Sequence, residues 1–270
     1  MSVDPGLASW LQLTLTPGLG ATTVRQLLGR FGLPDRVLAA PREQLESIAG
    51  PVVAALLREE RAEAVERALR WAEEPGHALV TLADGAYPKM LLEIPDPPVL
   101  LYAAGRLELL GRPALAVVGS RNATVQGVRD AEQFAKAFSQ AGLTIVSGLA
   151  LGIDAAAHRG GLAAQGSTIA VLGTGVDVVY PRQNAALAAH IAESGLILSE
   201  FPLGTQGLPD HFPRRNRLIS GLAQGCLVVE AALASGSLIT ARAALEQGRE
   251  VFALPGSIHS PLSKGTHALI

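Results

Sequence analysis

The chain of 270 residues contains a single cysteine, Cys226. One cysteine excludes a disulfide within the chain and excludes cysteine-rich zinc motifs. Cys226 begins the apolar run CLVVEAA, and a free cysteine in such a run is typical of a buried strand, where it behaves as a small hydrophobic residue. The sequence therefore predicts a structural role for Cys226 rather than that of a nucleophile.

Aromatic residues make up only 4% of the chain, whereas hydrophobic residues make up 49%. The core must therefore be filled mainly by Val, Ile, Leu and Ala, and the length allows one large domain with a smaller one. No uncharged run reaches the ~20 mostly apolar residues of a membrane span, and the N-terminus lacks the regions of a signal peptide. We therefore expect a soluble, cytoplasmic protein without a membrane partner.

An excess of positive charge is absent too, because 22 Lys and Arg face 24 Asp and Glu for a formal net charge of −2. This balance argues against a strongly basic nucleic-acid binder. A local basic patch is nevertheless enough for nucleic-acid binding, so the net charge by itself does not exclude a nucleic-acid ligand.

Common catalytic and phosphate-binding motifs are missing: the sequence has no G-x-S-x-G, no H-E-x-x-H and no G-x-x-x-x-G-K-[ST]. Asp154 and His158 lie four residues apart on a predicted helix, but no third metal ligand is identifiable. An Asp–His pair that fixes the helix is the favoured interpretation, ahead of a metal site or a catalytic base. We expect a protein that is not an enzyme and holds no cofactor or metal.

Residues 1–75 have helical spacing throughout and predict a small N-terminal helical domain. The stretch from Leu15 to Leu27 resembles a helix-hairpin-helix, in which a glycine turn offers backbone N–H groups to an anion. Leu45–Leu57 resembles the same motif more weakly. Helix-hairpin-helix motifs often contact the DNA backbone, but a pair of helices joined by a glycine turn can also have a purely structural packing role. Only Arg25 and Arg30 flank the first hairpin, so both interpretations stay open.

Residues 76–113 are rich in proline and predict a connector with short strands, which includes the start of a second domain. From residue 114 to residue 270, strand-like and helix-like patterns alternate. The predicted strands are continuous apolar runs, as in a parallel sheet that is covered on both faces; they are LAVVGS, TIVSG, TIAVLG, LILSE, CLVVEA and EVFALPG. The predicted helices are Val125–Ala141, Ile153–Gln165, Gln183–Glu193, Arg214–Ala223 and Ser237–Gln247.

This alternation predicts an α/β fold, an extended Rossmann-like, doubly wound and mostly parallel sheet. Ligands of such folds bind at the carboxyl ends of the strands, where glycines and hydroxyl groups recur in this chain. Backbone N–H groups and serines at helix N-termini are phosphate ligands, so we expect an anionic ligand. The candidate residues are Gly119, Ser120, Arg121, Ser147, Gly148, Ser235, Gly236 and Ser237.

Arg121 stands where a dinucleotide-binding loop would have glycine, which favours a phosphate ligand over a cofactor site. The alternative is that Arg121 pairs with an acidic residue such as Glu200 and holds the loop. A second basic group lies in DHFPRRNRLISGLA, where three cations at a helix start oppose the helix dipole. Its candidate ligands are Phe212, Arg214, Arg215, Asn216 and Arg217, with Phe212 either stacking on a base or packing in the core.

Seven segments in order resemble the DNA-processing protein A (DprA/Smf) family: VVGSRNAT, IVSGLALGIDAAAH, TIAVLGTGVDVVYP, LILSEFP, FPRRNRLISGL, SGSLITARAALEQGREVFALPG and KGTHALI. The resemblance implies single-stranded DNA binding, loading of the RecA recombinase in natural transformation, and a homodimer. It implies that Gly119, Ser120 and Arg121 hold phosphate, helped by Ser147 and Gly148, and that Phe212 and the 214–217 cluster line the same pocket.

The apolar end HALI, with His267, Leu269 and Ile270, is the predicted dimer surface. Many members of the family carry a C-terminal winged-helix domain, which we expect to be missing from this chain or removed from it.

Two alternatives use the same scaffold. The first is a nucleoside-monophosphate-cleaving enzyme of the "lonely guy"/lysine-decarboxylase-like group, whose motif is P-G-G-x-G-T-x-x-E. The corresponding segment, ASGSLITARAALE, has Ala243 at the position of the acid/base glutamate, which argues against hydrolysis. The second alternative is a small nucleotide-binding sensor.

Overall fold

An eight-stranded sheet runs through the computed structural model, which describes residues 5–270. The strand order is β1-β2-β6-β5-β4-β3-β7-β8. Strands β3 to β8 are parallel, whereas β2 is antiparallel to both β6 and β1. The predicted α/β class with a mostly parallel sheet is confirmed. The strands are β1 (His77–Thr81), β2 (Leu100–Gly105), β3 (Ala114–Val118), β4 (Thr144–Ser147), β5 (Thr168–Val171), β6 (Leu196–Ser199), β7 (Gly225–Val228) and β8 (Glu250–Ala253).

The central strands form because both of their faces are buried. In β3, Ala116 and Val118 pack into one apolar cluster while Val117 packs into another on the opposite face, as the two-residue period of a strand requires. All five residues of β3 are buried. Small and β-branched side chains suit this position between two helical layers.

Helices cover both faces of the sheet. Helices α8 and α9 contribute to the cluster with Val117, and α11 and α12 to the cluster with Ala116. None of the described helices is long and apolar enough to cross a membrane. The helices of this part are α7 (Lys89–Leu92), α8 (Val125–Gln140), α9 (Ile153–Leu162), α10 (Ala185–Ser194), α11 (His211–Gly221), α12 (Ser237–Glu246) and α13 (Lys264–Leu269).

The N-terminal segment consists of short helices around its own apolar cluster, which includes Leu11, Leu27 and Leu45. That cluster continues onto β2 through Leu100 and Tyr102, so the helical segment and the sheet share buried surface. The helices are α1 (Pro5–Thr14), α2 (Ala21–Phe31), α3 (Pro34–Ala39), α4 (Arg42–Ala49), α5 (Pro51–Leu56) and α6 (Ala62–Ala72).

Residues 76–113 contain two short strands, as expected for this stretch, and both strands join the sheet. β1 and β2 form an antiparallel pair, with Leu79 opposite Tyr102. β2 is buried over most of its length because it lies between β1 and β6. The proline-rich stretch that follows α7 carries Asp96, which contacts the helical segment.

The two arginines of the predicted helix-hairpin-helix differ in environment. Arg25 forms an ion pair with Asp96 at 2.8 Å and donates to the carbonyl oxygens of Pro95 and Pro97. Arg30 is exposed. Arg25 therefore fastens α2 to the α/β part of the chain, and only Arg30 of this pair faces solvent.

Cys226 is fully buried in β7. Burial raises the pKa of its thiol to about 12, with the charge of Asp154 adding to the shift. The thiol is therefore protonated at neutral pH and is a poor nucleophile, so its predicted role as a buried strand residue is confirmed.

Helices α8 and α9 approach closely at Gly160, where an added Cβ would lie 2.2 Å from the carbonyl oxygen of Glu132. We predict that Gly160→Ala lowers the free energy of unfolding by about 1–3 kcal/mol, because overpacking forces the backbone apart. Gly29→Ala in α2, where nothing lies within 4 Å of the added carbon, is the control and should be neutral or stabilising. Urea unfolding of both variants measures the difference, and equal stability of the two would contradict the close approach.

Candidate nucleic-acid interface

A pocket of about 760 Å³ opens at the carboxyl ends of β3 and β7. These neighbours are the switch point of the sheet, since the strands that follow β3 run to one side and those from β7 to the other. Ligands of open α/β sheets bind at such a point. The pocket is lined by Val118, Gly119, Ser120, Arg121, Asn122, Ala150, Asp154, Tyr180, Pro209, Phe212, Pro213, Arg215, Asn216, Ile219, Ala232, Ala234, Ser235, Gly236, Ser237, Ile239, Thr240 and Leu262.

The loop after β3 is held by backbone contacts. Ser120 donates its N–H to the Glu230 carbonyl oxygen at 2.7 Å, and its own carbonyl oxygen accepts from the N–H of Ile153 at 3.1 Å. Gly119 fits because a Cβ there would lie 2.6 Å from Ile153 Cγ1. The glycine thus serves close packing, and the loop is rigid where it presents Arg121.

Arg121 is exposed at the mouth of the pocket. Its guanidinium carbon lies 5.6 Å from the centre of the Phe212 ring, within cation–π range. Across residues 5–270 it forms no ion pair. Glu200, the alternative partner suggested by the sequence, binds Arg214 and Arg217 instead. The charge of Arg121 is therefore available to an anion.

Two aromatic rings stand beside this charge. The rings of Tyr180 and Phe212 lie 5.4 Å apart between centroids, at an angle of 35°. Phe212 packs against Gly173 and Gly207, where an added Cβ would lie 2.9 and 3.3 Å from its ring. Sequence reasoning missed Tyr180, which follows no strand directly. Both rings border the pocket, so they offer flat apolar surface next to the cation.

The opposite wall is the start of α12. Ser235 and Ser237 share a hydrogen bond of 2.7 Å between their hydroxyl groups, and Asn216 donates to the Gly236 carbonyl oxygen at 3.4 Å. The positive end of the α12 dipole is directed at the pocket. The structure therefore brings Ser235, Gly236 and Ser237 together with Ser120 and Arg121.

A carboxylate occupies the start of α8, which sequence reasoning also missed. Glu230 accepts hydrogen bonds from Thr124 N at 2.9 Å and from Thr124 Oγ1 at 2.5 Å. Gly127 makes room, since a Cβ there would lie 2.4 Å from the carboxyl carbon. In dinucleotide-binding folds the pyrophosphate sits at this helix end. Here the Glu230 carboxylate of the chain itself takes that place, which leaves Arg121 and the start of α12 as the groups of the pocket that suit an anion.

The structure does not bring Ser147 and Gly148 to the pocket surface. Ser147 is fully buried and donates its hydroxyl to the Val117 carbonyl oxygen at 2.7 Å. The Gly148 N–H donates to Asp154 Oδ2 at 3.1 Å. Neither residue lines the pocket, because the polar groups of both are hydrogen-bonded within the chain. They support the wall rather than face a ligand.

Asp154 and His158 hold the loop that follows Gly148. Asp154 accepts from the N–H groups of Gly148 and Ala150, while His158 Nε2 accepts from the Leu149 N–H at 3.2 Å and Nδ1 bonds Thr168 Oγ1 at 2.7 Å. Both side chains are buried. Among residues 5–270 no three His, Cys, Asp or Glu side chains form a potential metal site. The pair therefore fixes the loop and the start of α9.

Arg215 is buried at the back of the pocket. Its Nη1 donates to the carbonyl oxygens of Gly148, at 2.6 Å, and Val171. Burial lowers the pKa of Arg215 to about 10, against the opposing charge of Asp154. Burial likewise raises the pKa of Asp154, which the charge of Arg215 opposes. Arg215 stays charged at neutral pH and ties α11 to the ends of β4 and β5.

Arg214 and Arg217 lie on the other side of α11 and do not line the pocket. Both bind Glu200, with Arg214 Nη2 at 3.1 Å and Arg217 Nη2 at 2.5 Å from Oε2. The Glu200 side chain is only 3% exposed. Residues 214–217 were predicted to line one pocket. Arg215 and Asn216 do line it, whereas Arg214 and Arg217 do not. The helix period separates the two pairs.

The predicted dimer residues lie at the end of the described chain. Leu269 is partly buried against the core, His267 bonds Gly256, and Ile270 is 75% exposed. Nearby, Phe252 on the edge strand β8 is 51% exposed. An apolar surface therefore exists here, with Ile270 and Phe252 contributing more of it than Leu269.

Comparisons with known proteins agree with one another. Residues 78–270 match the family model described as DNA recombination-mediator protein A. Protein Smf of Escherichia coli (strain K12) is 51% identical over 207 residues, which are 76% of this chain and 55% of that protein. DNA processing protein DprA of Streptococcus pneumoniae (strain R6) is 51% identical over 190 residues, 70% of this chain and 67% of that protein. The chain thus spans about half the length of the E. coli relative.

Solved structures are similar as well. The X-ray structure of DNA processing protein A from S. pneumoniae gives a TM-score of 0.84 at 38% identity, covering 100% of this chain and 93% of that chain. A structure that describes the single-stranded DNA binding mode of DNA processing protein A from Helicobacter pylori gives 0.65 at 33% identity, covering 71% and 86%. The likeness to the first structure includes the N-terminal helices.

The buried His158 makes stability depend on pH. Burial lowers the pKa of His158 to about 3, and the charges of Arg215 and Arg159 act in the same direction. Between about pH 6.5, where the unfolded residue titrates, and about pH 3, only the unfolded chain binds this proton. The free energy of unfolding therefore falls as the pH falls, with a limiting slope of roughly 1.4 kcal/mol per pH unit from this group.

We predict that His158→Gln, which cannot titrate, is less stable at pH 7 but loses less stability between pH 7 and pH 4 than the wild type. Urea unfolding of both proteins at the two pH values measures this difference. An equal loss in the two proteins would show that His158 titrates normally in the folded state.

Proposed function

Because the chain belongs to the family of DNA recombination-mediator protein A, we propose that it binds single-stranded DNA in the pocket at the ends of β3 and β7. The observation that carries the proposal is the exposed Arg121, without an ion pair among residues 5–270, beside the rings of Phe212 and Tyr180. An arginine can hold a phosphate by a bidentate contact. The rings offer stacking surface to a base that is not paired.

The composition of the pocket also favours binding without strong sequence preference. Stacking accepts every base, and the polar groups here suit phosphate more than base edges. The similar structure from H. pylori describes a single-stranded DNA binding mode of that protein, which supports the same ligand for this chain. Duplex DNA would offer its phosphates but not its stacked bases.

We further propose that the protein protects incoming DNA, loads the RecA recombinase in natural transformation and acts in the cytoplasm. It would do so by binding rather than by catalysis. His158, the candidate base, has both ring nitrogens hydrogen-bonded in the interior. His158 does not line the pocket, and the polar side chains that do belong to serines, Thr240, asparagines, arginines, Asp154 and Tyr180.

The binding proposal predicts a salt-dependent complex that relies on Arg121. Arg121→Ala should weaken single-stranded DNA binding about ten- to 150-fold, the effect of losing a charged hydrogen bond worth roughly 1.5–3 kcal/mol. The melting temperature should not change, since the side chain is exposed and forms no ion pair in the described part of the chain. Fluorescence anisotropy with a labelled mixed-sequence oligonucleotide measures the affinity, and binding should weaken as salt rises.

Arg129→Ala is the matched control, because Arg129 is exposed on α8 and its loss removes the same charge. It should change affinity by much less. Arg121→Lys should rescue only in part, as an ammonium group lacks the planar fork. Equal effects at positions 121 and 129 would refute the specific phosphate contact. Efficient competition by AMP would instead favour the nucleotide-binding alternative.

We also propose a homodimer through the surface formed by His267, Leu269 and Ile270 together with Phe252. Ile270→Glu should shift sedimentation equilibrium at micromolar concentration toward monomer, since a charge buried in an apolar interface is costly. Leu92→Glu is the control, because Leu92 is an exposed apolar residue on α7. A wild type that is only monomeric, or a dimer unchanged by Ile270→Glu, would count against this surface.

A further inference from the structure

Helix α11 has two polar faces with different partners. Phe212, Arg215 and Asn216 are directed at the pocket. Arg214 and Arg217, one helix turn apart, are directed away from it and bind Glu200. Contacts on the second face therefore contribute to the position of the first, together with the hydrogen bonds of Arg215, because both faces belong to one helix of eleven residues.

Arg217 is the central member of the second face. Its Nη2 binds Glu200 and its Nε lies 3.5 Å from Asp96 Oδ2. The side chains of Arg217 and Glu200 are 15% and 3% exposed. Each also has one buried atom without a hydrogen-bond partner in the described chain, Nη1 of Arg217 and Oε1 of Glu200. Removal of one charge here leaves another poorly compensated.

Asp96 joins this cluster to the helical segment. Its Oδ1 accepts from Arg25 Nη1 at 2.8 Å and from Thr22 Oγ1 at 3.2 Å, both on α2. Burial by itself raises the pKa of Asp96, but the hydrogen bond from Arg25 and the charge of Arg217 outweigh it and lower the pKa below its usual value. A continuous set of contacts thus runs from α2 through Asp96 and Arg217 to α11.

We infer that Arg25 and Asp96 are positioning residues for nucleic-acid binding, which hold Arg217 and with it the pocket face of α11. This inference rests on the proposed function. It gives the helical segment an influence on DNA affinity that needs no contact between the segment and DNA. The observations behind it are that Asp96 has a charged partner on either side, Arg25 and Arg217, that Arg217 also binds Glu200, and that none of these side chains lines the pocket.

The variant Asp96→Asn separates positioning from simple electrostatics by the sign of its effect. It removes a negative charge, so electrostatics alone predicts tighter DNA binding. Positioning predicts weaker binding, by about two- to thirtyfold, the range typical of coupling between distant residues. Glu93→Gln removes the same charge three residues away, from a side chain that binds Arg249 and not the cluster, and should bind as tightly as the wild type or slightly more tightly.

A double-mutant cycle with Phe212→Ala tests whether Asp96 changes DNA affinity through the position of Phe212. If Asp96 acts by placing Phe212, the loss caused by Asp96→Asn should shrink in the Phe212→Ala background. If Asp96 acts independently of the pocket face, the two losses should multiply. A multiplicative result would overturn the inference, and a general loss of stability would not produce the coupling.

A second pair of variants tests the helical segment itself. It also provides a test of the inference if Asp96→Asn folds poorly. Arg25→Ala and Arg30→Ala remove equal charges from α2, but only Arg25 contacts Asp96. Arg25→Ala should weaken binding at least twofold more than Arg30→Ala, with both proteins assayed well below their melting temperatures. Equal losses would overturn the role of Arg25.

The oligonucleotide assay distinguishes the two levels of failure. A wild type that binds no single-stranded DNA refutes the proposed function, and this inference with it. A wild type that binds, together with an Asp96→Asn variant that binds equally well or better than the wild type, overturns the positioning role alone.

Discussion

The buried guanidinium of Arg215 is the interaction on which the pocket depends. It joins α11 to the carbonyl oxygens of Gly148 and Val171, at the ends of two central strands. A charge in this position needs compensation, which those carbonyls and the nearby Asp154 supply. Asp154 in turn holds the backbone of Gly148 and Ala150. One cation therefore connects the back wall of the pocket, the helix that carries Phe212 and the loop before α9.

Close backbone approach makes this arrangement possible. A Cβ on Gly148 would lie 2.6 Å from the Arg215 guanidinium, and one on Gly152 would lie 2.3 Å from the Ser120 carbonyl oxygen. Two of the glycines predicted as phosphate ligands, Gly119 and Gly148, are thus needed first for close packing. At the surface of the pocket the positive charge is that of Arg121. The start of α8 is occupied by the Glu230 carboxylate, which accepts from the Thr124 N–H. This division leaves an exposed cation at the mouth of the pocket in a chain whose net charge is −2.

The ion pairs around Glu200 and Asp96 have a different role from the cation at the pocket. They lie between the helical segment, the proline-rich stretch and α11. Partly buried ion pairs add little net stability but penalise displacement, because separation leaves a charge without a partner. They therefore suit the junction of two parts of the chain whose relative position affects a binding surface.

The fold class and the position of the pocket were predictable from the sequence alone. Continuous apolar runs separated by helical patterns predict a parallel sheet, and residues that follow the strands predict its ligand edge; six strands lie within a few residues of the predicted runs. Short strands were expected in residues 76–113, but the bounds of β1 and β2 were not predicted, because short strands among prolines lack a clear period. Their antiparallel pairing depends on contacts distant in sequence.

What each polar side chain contacts was decided only by the tertiary structure. Arg214, Arg215 and Arg217 are equivalent as a charge run, yet the helix period directs Arg215 toward two carbonyl groups and the other two toward Glu200. Ser147 resembles Ser120 as a residue after a strand, but its hydroxyl is buried against Val117. Sequence determines which residues are near a strand end, because periodicity is local. Which of them face a ligand depends on partners from distant segments, which only the packed chain brings together.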